Sequence, residues 1–211
     1  MSEEKYLKFV QKIYDENWKK QKDFIDNNNY SQKFIDKFLQ FFIWKKILDL
    51  GCGSGKDMMI FKNHWYDVVW VDISSNMLKL CQKSWINKDK LIHWDFEVIK
   101  NFPAASFDGV RAMAAFVNIT KDYNKKIWEE IYKILKKWWI ILVTLKKQKR
   151  WEPEEKNKQS FSVPDVSKRY IYYKKSEVQK TFKNIWFEEI YFSQSYYKNR
   201  DNWLRFIFKK N

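Results

Sequence analysis

Residues 46–57 read KILDLGCGSGKD and hold three of the four glycines in this chain of 211 residues. Gly51, Gly53 and Gly55 follow an apolar run that predicts a short buried strand, and they precede a pattern that predicts a helix over residues 56–64. Glycine loses more conformational entropy on folding than any other residue, so such a cluster indicates backbone shapes or close approaches that a side chain would prevent. The stretch therefore predicts a loop against which another group packs.

The segments around this loop alternate between strand and helix patterns. Helices are predicted over residues 75–84 and 122–137, and strands at KILDL, YDVVWVDI, KLIHWDF, SFDGVRAMAAF and WWIILVTL. This alternation is typical of βαβ units and predicts an α/β fold with a doubly wound, mainly parallel sheet.

The two ends of the chain add different elements. Residues 4–41 show helical spacing and are predicted to form two helices, broken at residues 27–29. After Leu145 comes a long polar connection, then an extended RYIYY, a helix at SEVQKTFKNI and a terminal strand pair. We expect one domain over residues 1–211, with a helical cap (1–43), an α/β core (44–145) and a substrate-side connection followed by the strand pair (146–211).

The formal net charge of +15 has two interpretations. A basic chain can bind nucleic acid, but 36 of its 41 basic residues are lysine and they are dispersed. Because arginine, the better reader of phosphates and bases, is scarce, we favour a solvated surface and leave a nucleic-acid partner as the alternative.

Cysteine content and hydropathy indicate the compartment. Cys52 and Cys81 cannot form a disulfide framework and suit a reducing environment. The N-terminal stretch MSEEKYLKFVQK lacks the apolar core of a signal peptide, and no apolar run approaches the roughly 20 residues of a membrane span. We expect a cytoplasmic monomer without a membrane partner.

Three acidic residues lie at or near the carboxyl ends of the first three predicted strands: Asp49, which precedes the loop, Asp72 and Asp95. Carboxylates at these ends can accept hydrogen bonds from a ribose diol or an exocyclic amine, and ligands of such sheets bind there. The G-x-G-x-G spacing fits neither the dinucleotide fingerprint nor the Walker loop. Two alternatives remain open: a tight turn without a ligand, and Asp72 acting only as a helix cap.

The stretch from LDLGCGSG through VVWVDIS and HWDFE to SFDGVRAMAAF resembles the class I S-adenosylmethionine-dependent methyltransferases. The resemblance covers roughly residues 44–145, and the tail resembles small stand-alone members. It implies S-adenosylmethionine as cofactor, and a Rossmann-like sheet of seven strands of which the last is antiparallel. It also implies a methyl acceptor as partner.

The resemblance assigns cofactor contacts by position. The loop would approach the methionine moiety and ribose, Asp72 would hold the ribose hydroxyls, Asp95 would meet the adenine amino group, and the backbone of residues 111–114 would line the donor pocket. The implied cofactor-binding residues are Asp49, Gly51, Cys52, Gly53, Gly55, Asp72, Ile73, Met77, Asp95, Phe96, Arg111 and Ala112.

Methyl transfer from a sulfonium needs alignment more than a catalytic base, so no catalytic motif is required and we name no base. The signatures of enzymes that methylate adenine N6, cytosine N4 or cytosine C5 are absent. His64 and His93 are interpreted as structural, and no cluster has metal-ligand spacing. The candidate substrate contacts are Tyr14, Asn118, Arg169, Tyr172 and Tyr173, with Arg111 also possible.

Eight tryptophans stand where the family pattern has glycine: Trp44, Trp65, Trp70, Trp85, Trp94, Trp138, Trp139 and Trp186. A bulky residue in a left-handed turn costs about 1–2 kcal/mol. One hypothesis is that UGA codons meaning glycine were translated as tryptophan, and the alternative is drift or redesign. Rings at Trp70 and Trp94 would lie beside the expected cofactor site.

The favoured function is methyl transfer to a small-molecule acceptor that the sequence does not identify. Two alternatives remain: an RNA or protein methyltransferase that uses the basic surface, and a non-catalytic module that binds S-adenosylmethionine or a nucleotide. Steep salt dependence of RNA binding would indicate the first alternative.

Overall fold

The computed structural model describes residues 1–27, 32–41, 46–83, 87–93, 95–160, 162–196 and 201–211. The helices are α1 (Glu3–Glu16), α2 (Trp18–Asp26), α3 (Gln32–Leu39), α4 (Met58–Asn63), α5 (Ser75–Lys83), α6 (Lys121–Ile134) and α7 (Lys175–Asn184). The strands are β1 (Lys46–Leu50), β2 (Asp67–Asp72), β3 (Leu91–His93), β4 (Phe107–Met113), β5 (Leu135–Lys147), β6 (Glu155–Gln159), β7 (Ser167–Tyr173), β8 (Phe187–Gln194) and β9 (Trp203–Lys210).

Seven of the nine paired strands form the predicted α/β sheet in the order β3-β2-β1-β4-β5-β9-β8, and β7, with β6 beside it, pairs with the end of β5. The first five are parallel, and β9 runs antiparallel to both β5 and β8. The prediction of a mainly parallel, seven-stranded sheet with an antiparallel last strand is therefore confirmed. The carboxyl ends of β1, β2 and β4 meet at one edge, where the glycine loop begins.

Two local predictions were wrong. The N-terminal region forms three helices, because the chain also breaks at Asn17, whose Nδ2 donates to the carbonyl of Ile13 (3.0 Å). The long polar connection contains β6, which pairs antiparallel with β7. Its sequence, EKNKQ, has no apolar alternation, because β6 buries neither face: its backbone pairs with β7, and two of its lysines pair with acidic side chains.

The two faces of the sheet carry separate apolar clusters. Leu48, Val71 and Val110 point to the face that packs on α6 and α7, where Trp128 and Phe182 are fully buried. Ile47 and Val68, their neighbours along the strands, point to the opposite face, which packs on α3 and α4. Alternation along each strand therefore divides the core and fixes which side chains reach the carboxyl edge.

Three of the eight tryptophans at glycine-like positions have left-handed backbones. Trp65 has φ 57°, Trp138 has φ 71° and Trp186 has φ 65°, and their side chains are mostly exposed. Trp70 and Trp139 lie within β2 and β5 without positive φ. Trp44, Trp85 and Trp94 lie outside the described residues. At three positions, then, the backbone has the shape that glycine adopts without cost.

We expect Trp65→Gly, Trp138→Gly and Trp186→Gly each to raise the free energy of unfolding by about 1 kcal/mol, because each relieves a left-handed backbone. Urea denaturation measures the change. Trp151→Gly is the matched control, since Trp151 is also exposed but has no positive φ. An equal rise in the free energy of unfolding of Trp151→Gly would show that loss of an exposed indole, and not relief of the backbone, causes the effect.

Candidate functional site

The glycine loop turns sharply at the end of β1. The backbone N–H groups of Gly51 and Cys52 donate to the carbonyl of Val71 (2.8 and 3.1 Å), which holds the loop against the end of β2. Gly51 has φ 72°, and a Cβ there would lie 3.0 Å from the Cβ of Ala115. Only glycine satisfies both the backbone angle and the contact at this position.

Asp72 connects the loop to the end of β2. One carboxylate oxygen accepts from Gly53 N–H (2.7 Å) and the other from Ser74 N–H (2.8 Å). Burial raises the pKa of Asp72 to about 6, although the two N–H donors act in the opposite direction. The residue therefore holds a charge beside the loop at neutral pH that is lost in mild acid.

A buried ion cluster lies behind the loop. Arg111 of β4 donates to Asp49 of β1 (2.6 Å) and also pairs with Asp57, just before α4. The guanidinium lies over the ring of Phe61, on the sheet face that packs on α4. Desolvation raises the pKa of Asp49, and Arg111 counters that effect. The cluster thus holds the residue before the loop, Asp49, and the residue after it, Asp57, on the same guanidinium.

The N-terminal helices are held over the loop by polar contacts. The carboxylate of Asp15, in α1, accepts from Ser74 Oγ (2.7 Å) and from the N–H of Asn76 at the start of α5 (3.2 Å). Lys56, just after the loop, donates to the carbonyl of Ile25 in α2 (3.0 Å). These contacts place α1 and α2 across the carboxyl edge of the sheet.

Between these helices and the sheet lies a cavity of about 310 Å³, here called the central cavity. The loop and the ends of β2 and β4 line one part, β5, β7 and β9 line the other, and α1 and α2 also contribute lining side chains. Seven of the predicted cofactor residues line it: Gly51, Gly53, Asp72, Ile73, Met77, Asp95 and Phe96.

The other predicted cofactor residues do not line the central cavity, and their cofactor contacts stay a prediction. Asp49 and Arg111 pair with each other, and Ala112 points into the core. Cys52 points toward Cys81, and a thiol–thiol hydrogen bond with burial raises the pKa of Cys52. Gly55 lies at the buried end of the loop. Of the residues 111–114 whose backbone is expected to line the donor part, Met113 and Ala114 line the cavity, together with the next residue, Ala115.

Two of the predicted substrate residues line the cavity. Tyr14 Oη donates to Asn118 Oδ1 (3.4 Å). Arg169 instead pairs with Glu3 (2.6 Å), and Tyr173 packs against Trp128 in the core. Tyr172 points to the cavity side of β7 but lies beyond the lining.

Sequence reasoning missed a group of lining side chains at the far end of the cavity. Alternation along SKRYIYY places Lys168 and Tyr170 on the face opposite to Arg169, so a correct face assignment for β7 would have found them. Lys146 lies in the polar tail of β5, which was interpreted as part of the connection. The missed residues are Lys146, Ser162, Lys168, Tyr170 and Trp203.

Trp70 does not obstruct the cavity. Its ring packs edge-on against Phe61 (5.7 Å between centroids) on the α4 side of the sheet. His93 Nε2 lies 2.9 Å from the carbonyl of Ile73, a structural contact at the end of β3. Within the described ranges, no group of three or more His, Cys, Asp or Glu side chains could hold a metal ion. No helix in that part of the chain is long and apolar enough to cross a membrane.

Comparison with known proteins finds a domain match in the middle of the chain. Residues 47–138 match a family model described as a methyltransferase domain. The phosphoethanolamine N-methyltransferase of Plasmodium falciparum is 26% identical over 116 residues, which are 53% of this chain and 44% of that protein. The matched region thus spans less than half of that relative.

Two solved structures share the fold over most of the chain. An S-adenosylmethionine-dependent methyltransferase from Methanosarcina mazei has a TM-score of 0.70 at 18% identity, covering 85% of this chain and 97% of the other. The 1,6-didemethyltoxoflavin-N1-methyltransferase of Burkholderia thailandensis, solved with 1,6-didemethyltoxoflavin and S-adenosylhomocysteine bound, has a TM-score of 0.77 at 13% identity, covering 100% and 91%.

The matched domain model includes the glycine loop and the strand ends beside it, and the fold outside that region is also shared. Residues 47–138 therefore carry the sequence pattern of a methyltransferase domain, and the chain shares the fold of S-adenosylmethionine-dependent methyltransferases.

Proposed function

We propose that this chain is an S-adenosylmethionine-dependent methyltransferase and that it acts on a small-molecule acceptor, bound in the part of the central cavity that lies away from the glycine loop. The observation that supports this most directly is that one cavity joins the loop to the aromatic side chains of β7 and β9. Its volume, about 310 Å³, and its mainly apolar lining are typical of sites for small ligands. Helices α1 and α2 cover it, which suits a small acceptor better than a polymer.

The chain's own residues fit the cofactor. Absence of a Cβ at Gly51 leaves room beside Ala115 for the loop to follow a ligand closely, and the Asp72 carboxylate can accept hydrogen bonds from ribose hydroxyls. Phe96 and Ile73 supply apolar surface for a flat base, and Asp95 can accept from its amino group. When bound, S-adenosylmethionine supplies an activated methyl group on a sulfonium.

The protein's task is then to align the acceptor and exclude water. Tyr14 and Asn118, hydrogen-bonded to each other, line the cavity and can orient an acceptor. Burial, and then the charge of Asp72, raise the pKa of Tyr14, so its hydroxyl stays protonated at neutral pH and donates a hydrogen bond. Tyr14 therefore serves as an orienting group and not as a base.

An RNA or protein acceptor has less support. Two of the five arginines, Arg111 and Arg169, are buried in ion pairs, so they are not available to phosphate groups. Because the proposed site is built from one chain, we also propose that the protein acts as a monomer.

A methyl-transfer assay with radiolabelled S-adenosylmethionine tests the proposal. Total small metabolites, total RNA and total protein are supplied separately as acceptors. We expect label to be transferred only to the metabolite fraction. Transfer to RNA or protein would contradict a small-molecule acceptor, and cofactor binding without transfer to any fraction would indicate a binding module.

We expect binding of S-adenosylhomocysteine to weaken as the pH falls through about 6, the raised pKa of Asp72, because a protonated carboxyl accepts fewer hydrogen bonds from the ribose. Below that pH the loss approaches about tenfold per unit if only the ionised form binds. Calorimetry at several pH values measures it. Asp72→Asn should bind weakly at every pH, whereas His64→Gln, at an exposed histidine after α4, should keep the wild-type profile. A pH dependence that survives in Asp72→Asn would assign it to another group.

We expect Gly51→Ala to weaken cofactor binding by at least about tenfold and to lower the free energy of unfolding by about 1–2 kcal/mol, because it places a Cβ at positive φ and 3.0 Å from Ala115. Ser54→Ala is the matched control in the same loop. Unchanged affinity in a folded Gly51→Ala variant would show that the loop does not approach the cofactor.

A further inference from the structure

The end of the central cavity opposite the glycine loop contains two buried lysines. Lys146 of β5 and Lys168 of β7 are each 3% exposed, and both line the cavity. Their ammonium groups lie 4.4 and 5.9 Å from the ring centroid of Tyr170, which therefore lies beside both. Buried lysines are rare unless they are paired, so each needs an explanation.

The first lysine, Lys146, has an acidic partner and belongs to a cluster of charged side chains. Lys146 pairs with Asp201, and Lys158 donates to the other oxygen of the same carboxylate (2.9 Å). Tyr172 Oη also lies 3.5 Å from Asp201. One carboxylate thus faces two ammonium groups, so the cluster carries a net positive charge before Lys168 is counted.

The second lysine has no acidic partner. Lys168 Nζ donates to Tyr14 Oη (3.1 Å) and lies 4.3 Å from the centroid of that ring. Among the side chains that the structure describes, no carboxylate lies within 4.0 Å of it. Desolvation lowers its pKa without a carboxylate to oppose the effect. Its charge is therefore stabilised by one phenol and two ring faces alone.

We propose that Lys168, assisted by Lys146, binds an anionic group of the methyl acceptor at this end of the cavity. This inference deepens the proposed function and rests on it. Three lysines and one aspartate leave an excess of two positive charges, which a phosphate monoester would largely neutralise and a carboxylate would reduce by one. Ammonium groups form strong, charge-assisted hydrogen bonds with either oxyanion.

The surrounding side chains define the rest of the acceptor. Tyr14, Tyr170 and Trp203 line the same end and present ring faces and edges, and Val117 adds apolar surface. An acceptor with an oxyanion at one end would therefore place an apolar or planar body among these rings. Its nucleophilic atom would then extend toward the loop, where the cofactor's methyl group is expected.

Binding of simple anions tests the inference. Inorganic phosphate and acetate are titrated separately into the full chain saturated with S-adenosylhomocysteine, at constant ionic strength set with chloride, and followed by calorimetry. We expect saturable binding of at least one anion. The anion that binds more tightly identifies the class of the acceptor's anionic group. In Lys168→Met the affinity should fall by about tenfold or more, since a charge-assisted hydrogen bond is lost. Lys180→Met, an exposed lysine on α7, should bind as the wild type does.

A second readout separates anion binding from a purely structural role. Because Lys168 is buried without an acidic partner, we expect Lys168→Met to melt at a higher temperature than the wild type when no anion is present, and to lose the stabilisation by phosphate or acetate. A lower melting temperature together with unchanged anion affinity would overturn the proposal. If S-adenosylhomocysteine binds but neither anion does, only this inference fails. If S-adenosylhomocysteine itself does not bind, the proposed function fails.

Discussion

The buried carboxylate of Asp72 is the interaction on which the site depends. Its two oxygens hold the N–H groups of Gly53 and Ser74, which fixes the glycine loop relative to the end of β2 and the start of α5. A buried charge is costly unless it is hydrogen-bonded, and here the two backbone donors compensate it only in part, as its raised pKa shows. Under the proposed function, the carboxylate that positions the loop would also accept hydrogen bonds from the ribose hydroxyls, which would relieve the remaining cost of its burial.

The N-terminal helices turn this sheet edge into a cavity. Asp15 and Lys56 attach α1 and α2 to the loop region, while Glu3 pairs with Arg169 of β7 on the other side. The same helices therefore contact both the cofactor part and the lysine-containing part of the cavity. This arrangement explains why Tyr14, in α1, contacts Asn118 on one side and Lys168 on the other.

The helices and strands with a clear hydrophobic periodicity could be predicted from the sequence, and so could the glycine loop. Apolar runs such as KILDL and WWIILVTL identify buried strands, and the cluster of Gly51, Gly53 and Gly55 indicates a loop with backbone shapes that a side chain would prevent. The far end of the cavity was not predictable, because it depends on which face of β7 turns inward and on a carboxylate, Asp201, that arrives from a distant part of the chain. Strand β6 was also missed, since an edge strand without a buried face has no hydrophobic pattern. The residue roles inferred from the resemblance remain predictions.

Titration of S-adenosylmethionine into the purified chain by calorimetry tests the central claim most directly. The account predicts binding of one cofactor per chain in the micromolar range, with most of the affinity lost in Asp72→Ala. A chain that is folded by circular dichroism and cooperative unfolding but binds no S-adenosylmethionine would contradict it, because the loop and Asp72 would then be correctly formed without a ligand to hold.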